Sequence, residues 1–532
     1  MTKTLTMDKP DDRRRLDHMA QAVIGKPLDR PDGPLKVSGT APYAAEYDIE
    51  NCAHGVLLRA ATMGTVKSLN RAKMEALPGV LGVFSSDEFL RNPAQGMAGE
   101  APVQGVGEVA YVGEVIGLVV AETFEQARAA EARYAAGAAR PLDGIPFSLK
   151  DLTPTRGIRT TRGSLLYENW IPDYDAPLAE RLYAQGGVLL GKTNTPEFGW
   201  KGDSGNRVCG PTHNPWRHGR TSGGSSGGAA AAVAAGLGPL SQGTDGAGSI
   251  RIPACFCGVF GIKPSFGLVP QYPASVVEPF SHSGPIARTV ADAALMLTAM
   301  RGFDPRDRIS IPDETDYLAA MEGDIEGLRV AFSGDLGYAA IEPAVKDAVT
   351  HAAHRFAELG CTIEEIHPGL PDPWDIVDKV WSAAFAGAYD LDEVGDQLDP
   401  GLAAIIRDSL KYTAAELAAA HQARLEYFQR WRVFMQDYDL FLAPTLPVTA
   451  FKAGAHHPGT IADKPTSYLG WTAFTYPFNT TGQPAATVPC GFVDGLPVGL
   501  QIVGRYREDA VVLRASAAFE ALAPWAERQP DL

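Results

Sequence analysis

The sequence predicts an α/β protein, a mixed β-sheet flanked by helices, with a small α+β module in front of it. Three observations lead there. From about residue 141 onward, short apolar strand-like runs alternate with helical stretches, without internal repeats. From Ile24 to about residue 134 the chain instead reads as short β-type runs separated by turns. The third is the stretch Gly219 to Pro270, where glycine and serine reach a density that ordinary loops lack. A chain of 532 residues is long enough for two domains, one of them large.

Residues 1–21 read as a charged, disordered tail. Arg13-Arg14-Arg15 is followed by Asp17, His18 and Gln21, not by the apolar region of an export signal. The runs HGVLLRAA, LPGVLGVFSSDEF and VAYVGEVIGLVVAET supply strands of the first module, with Val115–Val120 a buried one by composition. Thr123–Ala136 is amphipathic and helical, so the seam falls between about 122 and 140, giving domains over 22–134 and 135–532. Beyond it, a helix over Leu178–Gln185 precedes a strand at Val188–Leu190. A helix over 226–236, a strand over 239–244, a helix after Ser249 and another over Val290–Met300 follow. Then come a strand at Leu328–Phe332, a helix over 343–359, a strand over 361–366 and a helical stretch from about 373 to 437. Leu440–Leu442 is a strand, FNTTGQPAATVPCGF and PVGLQIVGR return to sheet, and a last helix lies near 508–523.

A formal charge of −16 argues against a surface built to neutralise phosphates or anionic lipid, so neither nucleic acid nor a membrane is an expected partner. No segment has the length and hydrophobicity of a membrane span. The six cysteines are scattered; Cys255 and Cys257 are close but lack a second pair, which fits buried thiols in a reduced, cytoplasmic protein better than a zinc site.

Two serines stand in the glycine-rich stretch, Ser225 in GGSSGG and Ser249 in GAGSIR. A helix and a strand separate them, which brings both to the edge of one cleft. A serine hydroxyl is a weak nucleophile until a base removes its proton. Lys150, in PLDGIPFSLKD, is the candidate base: apolar surroundings would bury its stem, and burial lowers a lysine pKa because the charged form loses hydration.

These motifs, Gly144-Ile145-Pro146 with Lys150, Gly223 to Gly228, and Gly243 to Arg251, resemble the amidase signature hydrolases in order and spacing. The likeness spans about 141–527. It implies the amidase signature fold and hydrolysis of a small-molecule amide to an acid and ammonia or an amine. By resemblance Ser249 is the nucleophile, Lys150 the general base and Ser225 the relay, held by a cis peptide bond after Gly224. The backbone N–H groups of Gly246, Ala247, Gly248 and Ser249 are the implied oxyanion hole, with Asp245 and Arg251 bracing the loop. No metal or organic cofactor is expected, and a homodimer is left open. The family's usual form has threonine and glycine where this chain has Gly246 and Ala247, which bears on turnover rate more than on reaction type. A second reading keeps the fold but makes the chain the glutaminase subunit of a tRNA-dependent amidotransferase. A third makes it a non-catalytic module docking a redox partner.

The front segment resembles another family. Gly25-Lys26-Pro27, Asp32-Gly33, Lys36 to Gly39, His54-Gly55, Leu77 to Val80 and Tyr111 to Glu114 through Val119 to Glu122 look like the hammerhead domain of the molybdenum-binding subunit of xanthine dehydrogenase and aldehyde oxidase. The likeness covers roughly 22–134. In those proteins sequence after this domain holds most of the cofactor, and none of it follows here, so no molybdenum site is expected.

Two other patterns are set aside. Gly186 to Thr193 satisfies the phosphate-loop pattern, but its middle, Val188-Leu189-Leu190, is a strand interior. GGSSG satisfies the nucleophile-elbow pattern, yet a loop, His218 to Ser222, precedes it instead of a strand. Lys263 is expected to be structural, and the pairs His351/His354 and His456/His457 solvated. Trp200, Trp471, Phe474, Tyr476 and Phe478 are candidates for lining an acyl pocket.

Overall fold

The computed structural model describes residues 140–531 and, ahead of them, five short strands. The tail, the helix at 123–136 and the seam lie outside the described residues. The chain divides into compact units at 1–139 and 140–532. In the first unit, His54–Arg59 and Val80–Phe84 both pair antiparallel with Val115–Ala121, which is therefore the central strand of three. Gly64–Thr65 pairs with Glu108–Val109.

The second unit is built on one ten-stranded mixed sheet. Its strands are β1 (Pro146–Lys150), β2 (Val188–Thr193), β3 (Leu240–Asp245), β4 (Phe260–Lys263), β5 (His282–Ala287), β6 (Arg329–Phe332), β7 (Thr362–Glu365), β8 (Leu440–Pro444), β9 (Ala485–Val493) and β10 (Leu496–Gly504). Across the sheet they run β7-β6-β8-β10-β9-β4-β5-β3-β1-β2. β1 lies parallel between β2 and β3, while β5 is antiparallel to β3, so the sheet is mixed as expected. Most central positions are apolar and wholly buried: β4, β5, β8 and β10 have no exposed residue, as strands covered on both faces require.

The helices that cover it include α1 (Pro177–Ala184), α2 (Gly227–Ala234), α3 (Arg251–Cys257), α4 (Val290–Met300), α5 (Pro343–His354), α6 (Trp374–Ala388), α7 (Pro400–Ser409), α8 (Ala414–Phe434), α9 (Tyr476–Thr481) and α10 (Asp509–Leu522). α4 illustrates the local logic. Thr289 caps it by accepting from the Asp292 N–H at 3.1 Å, and Val290, Ala293, Ala294, Leu297 and Met300 bury one face in the main core. Burying each of the larger of these side chains is worth about 1.5–3 kcal/mol.

Departures from expectation have local causes. The helix expected over 343–359 is α5 plus a 3-10 turn, Arg355–Leu359, that closes at Gly360 with φ 81°. The helical stretch from 373 breaks into four helices, α6, a single turn at Leu391–Val394, α7 and α8: Asp390 and Asp399 each cap a new start, the second with Pro400 in the first turn, and Thr413 forms a capping box with Glu416. FNTT belongs to α9, not to the sheet. Sequence pattern assigns no strand at β4 or β5: one is only four residues, and the other, HSGPIA, lacks alternation because both its faces are buried.

Candidate active site

β1 and β3 are parallel neighbours, so their carboxyl ends emerge on the same edge of the sheet. Lys150 is the last residue of β1, and the loop from Gly246 to Ile250 leaves the end of β3. GGSSGG meets them from the side. Ser226 locks it to β3, its Oγ donating to the Thr244 carbonyl at 3.1 Å and accepting from the Thr244 N–H at 3.2 Å. The Ser226 N–H donates to the Ser249 carbonyl at 3.1 Å. That lattice sets Ser225 beside Lys150, and the Gly224–Ser225 peptide is cis.

Lys150 Nζ lies 2.7 Å from Ser225 Oγ and 2.8 Å from Thr244 Oγ1. The lysine is wholly buried. Desolvation pushes its pKa well below the usual lysine range, against the pull of the Asp245 carboxylate. Ser225 is 2% exposed and Ser249 is 6% exposed. Ser249 Oγ forms no hydrogen bond with any described residue.

Asp245 and Arg251 form the frame under the loop. Arg251 reaches the Asp245 carboxylate with Nε at 3.0 Å and an Nη at 2.9 Å, both groups fully buried. Burial alone would raise the Asp245 pKa, but the charges of Arg251 and Lys263 and the hydrogen bonds of Arg251 and Asn479 hold it well below the carboxylate range. The carboxylate also accepts from the N–H groups of Gly248 at 2.7 Å and Ile250 at 3.1 Å. Of the four N–H groups expected to face an oxyanion, one is thus engaged by Asp245. The Gly248 N–H is turned into the frame, whereas those of Gly246, Ala247 and Ser249 have no acceptor among the described residues. Gly248 has φ 125°, and a Cβ there would stand 2.4 Å from Thr475 Oγ1, which donates to the Ala247 carbonyl at 2.6 Å. Lys263 is buried too, donating to the carbonyls of Pro264 and Gln483, and burial pushes its pKa well down.

A cavity of about 220 Å³ opens against this site, with Thr244 in its wall beside Leu152, Phe198, Tyr272, Val277 and Tyr389. Phe198 and Tyr389 stack with centroids 4.4 Å apart. The aromatic residues expected in an acyl pocket are elsewhere. Trp200, Trp471, Phe474, Tyr476 and Phe478 are all buried in the core, where Trp471 stacks on Phe256. Sequence patterns do not separate a packed aromatic from a pocket one, since both are apolar. His456 is half-buried with its ring on Trp200, not solvated, while His351 and His354 are exposed.

Sequence pattern does not single out Thr244, Gln242, Thr475 or Asn479. It marks the motif GTDGAGS around Thr244, but only the fold shows that this threonine reaches the lysine. Lys192, from the rejected phosphate-loop pattern, lies inside β2 and donates to Thr155 and Thr160 at 3.1 and 3.0 Å and to the Thr153 carbonyl. Burial pushes its pKa down to about 8. It ties down the loop that follows Lys150.

Fold and site together define an α/β amide hydrolase. Residues 112–513 match the amidase family, and the chain belongs to that family as a hydrolase of amide C–N bonds. Residues 38–135 match the hammerhead domain of aldehyde oxidase and xanthine dehydrogenase. The amidase match begins ahead of the expected 141, and the two matches share 112–135. An acylamidase from Rhodococcus erythropolis is 44% identical over 399 residues, covering 73% of this chain and 83% of its own. A glutamyl-tRNA(Gln) amidotransferase subunit from Roseiflexus castenholzii is 38% identical over 435 residues, covering 76% and 88%. Among solved structures, a bacterial aryl acylamidase of the amidase signature family superposes with a TM-score of 0.71 at 32% identity, covering 76% of this chain and 87% of its own. Among the described residues no helix is long and apolar enough to cross a membrane.

Proposed function

We propose that the chain is an acylamidase working through an acyl-enzyme, with Ser249 as nucleophile, Ser225 as relay and Lys150 as general base. The observation that carries this is the 2.7 Å pair of a desolvated lysine and Ser225 Oγ beneath a loop with unpaired N–H groups. Uncharged Lys150 takes a proton from Ser225, which takes one from Ser249 as its Oγ attacks the amide carbonyl. Rotation of Ser249 about its Cα–Cβ bond closes the second link of the relay when substrate binds. The oxyanion meets the N–H groups of Gly246, Ala247 and Ser249, each worth about 3 kcal/mol in the transition state. The relay returns the proton to the leaving nitrogen, and water then hydrolyses the acyl-enzyme.

The higher identity to the acylamidase, 44% against 38%, favours this reading over a glutaminase subunit. Labelling with a serine-directed fluorophosphonate, followed by peptide mapping, tests it: the adduct is expected on Ser249, and labelling elsewhere overturns the assignment. Stimulation of ammonia release by tRNA would turn the reading to the amidotransferase subunit. A division at residues 134 and 135 and a cytoplasmic location belong to the same proposal; the end of the hammerhead match at 135 supports the first.

A further inference from the structure

Among the described residues that line the cavity beside the site, Arg162 alone is ionic, and no aspartate or glutamate is among them. An arginine normally satisfies its five N–H donors with carboxylates or carbonyls. The Arg162 side chain makes no hydrogen bond or ion pair with any described residue, and its Nε is buried without a partner. What holds it is aromatic: the guanidinium carbon lies 4.7 Å from the ring centroids of both Tyr167 and Trp170. Rings hold a guanidinium by its plane and leave its edge donors free.

The backbone fixes that edge in place. Arg162 sits at φ 54° and Phe198, also in the cavity wall, at φ 51°. The Arg162 N–H donates to the Asp151 carbonyl at 2.9 Å, and the Arg162 carbonyl accepts from the Phe198 N–H at 2.8 Å. Asp151 directly follows the base Lys150, so the cation is registered to the catalytic strand. The polar neighbours in the wall, Thr153, Gln271, Ser275 and Ser283, carry no charge to compete with an incoming anion.

We propose that this cavity takes amides bearing a carboxylate remote from the scissile bond, and that Arg162 is the residue that selects them; the proposal rests on the active-site reading above. A planar carboxylate matches the free edge of the guanidinium bidentately.

Two pairs of probes test it: 4-acetamidobenzoate against N-(4-methylphenyl)acetamide, and the monoanilide of glutaric acid against pentananilide. They differ in whether the carboxylate rides on the amine or the acyl side. The wild type should favour the charged member of one pair by about tenfold or more in kcat/KM, the advantage lying in KM. Arg162→Gln should abolish that preference while leaving the neutral member within about twofold, and Arg162→Lys should restore part of it. No preference in either pair, or an equal loss on both members in Arg162→Gln, overturns the proposal. Calorimetric binding to the Ser249→Ala protein reads the preference without turnover. If neither neutral anilide is hydrolysed and Ser249 is not labelled, the active-site reading fails; the inference about Arg162 then stands only if the carboxylates still bind more tightly than their neutral partners and Arg162→Gln removes the difference.

Discussion

A Cβ built on Gly246 would stand 2.7 Å from the Trp381 ring, closer than side chains approach one another. Trp381 is buried on α6 in a cluster that also holds Ala247, Val277 and Phe385. The indole thus occupies the space that a threonine at 246 would need, and the departure from the family's usual residues is matched by packing from a distant helix.

Gly246→Thr is accordingly expected to destabilise the protein by about 1–3 kcal/mol through overpacking. Trp381→Leu leaves a hole when made alone, and the two together should cost less than the sum of the single changes. A double-mutant cycle from urea unfolding measures the coupling. Additive costs would show that ring and glycine are independent.

Ser249→Ala should lower kcat on an anilide by about 10⁴-fold or more, with circular dichroism and melting temperature close to wild type. Ser249 makes no side-chain hydrogen bond to a described residue, so its hydroxyl can be removed without orphaning a partner. Retained turnover would remove it from the nucleophile's role.

Lys150→Met should abolish activity and change how stability responds to pH. The folded pKa of Lys150 lies well below its ordinary 10.5, so the unfolded chain binds the extra proton. Stability of the wild type therefore falls, relative to the variant, as pH drops from about 10.5 toward the folded pKa. Within that window the difference should move by about 1.4 kcal/mol per pH unit. Urea titrations at pH 7 and pH 9 read it; a constant difference would mean that the lysine stays charged in the fold. Lys263 is intact in both proteins and cancels.

Asp245→Asn leaves Arg251 buried without a counter-charge and should cost about 3–5 kcal/mol. Because the Asp245 pKa is lowered in the fold, its contribution is present above the unfolded value near 3.8 and lost as pH falls through the folded one. The variant should consequently lose less stability than the wild type when acidified below pH 4. Equal acid sensitivity would place the linkage elsewhere.

The motifs carry much of this in plain view. The spacing of Lys150, Ser225 and Ser249, the strand at 188–190 and the helix at 290–300 follow from local pattern, because glycine density, apolar periodicity and turn residues act over a few neighbours. Asp245 and Arg251, expected to brace the Ser249 loop, form a buried ion pair beneath it in the fold.

What pattern does not reveal is long-range. That the Gly248 N–H, one of the four expected donors, turns toward Asp245 depends on where the loop folds back over β3. The pocket lining differs from expectation because Trp471 and Phe478 are apolar in the same way as Phe198 and Tyr389, and only packing sorts them. Arg162 stands in GIRTTRGS with nothing beside it to mark a binding role.

The sequence by itself determined the mixed α/β architecture, the hammerhead-like front and the choice of Lys150, Ser225 and Ser249 as candidates, since each depends on spacing within short stretches. Tertiary structure alone decided that Thr244 joins Ser225 beside the Lys150 amine, that Trp381 fills the place above Gly246, and that Arg162, without an ionic partner among the described residues, faces the cavity. Those are properties of neighbours remote in the chain, or of the solvent they exclude, and no local pattern encodes them.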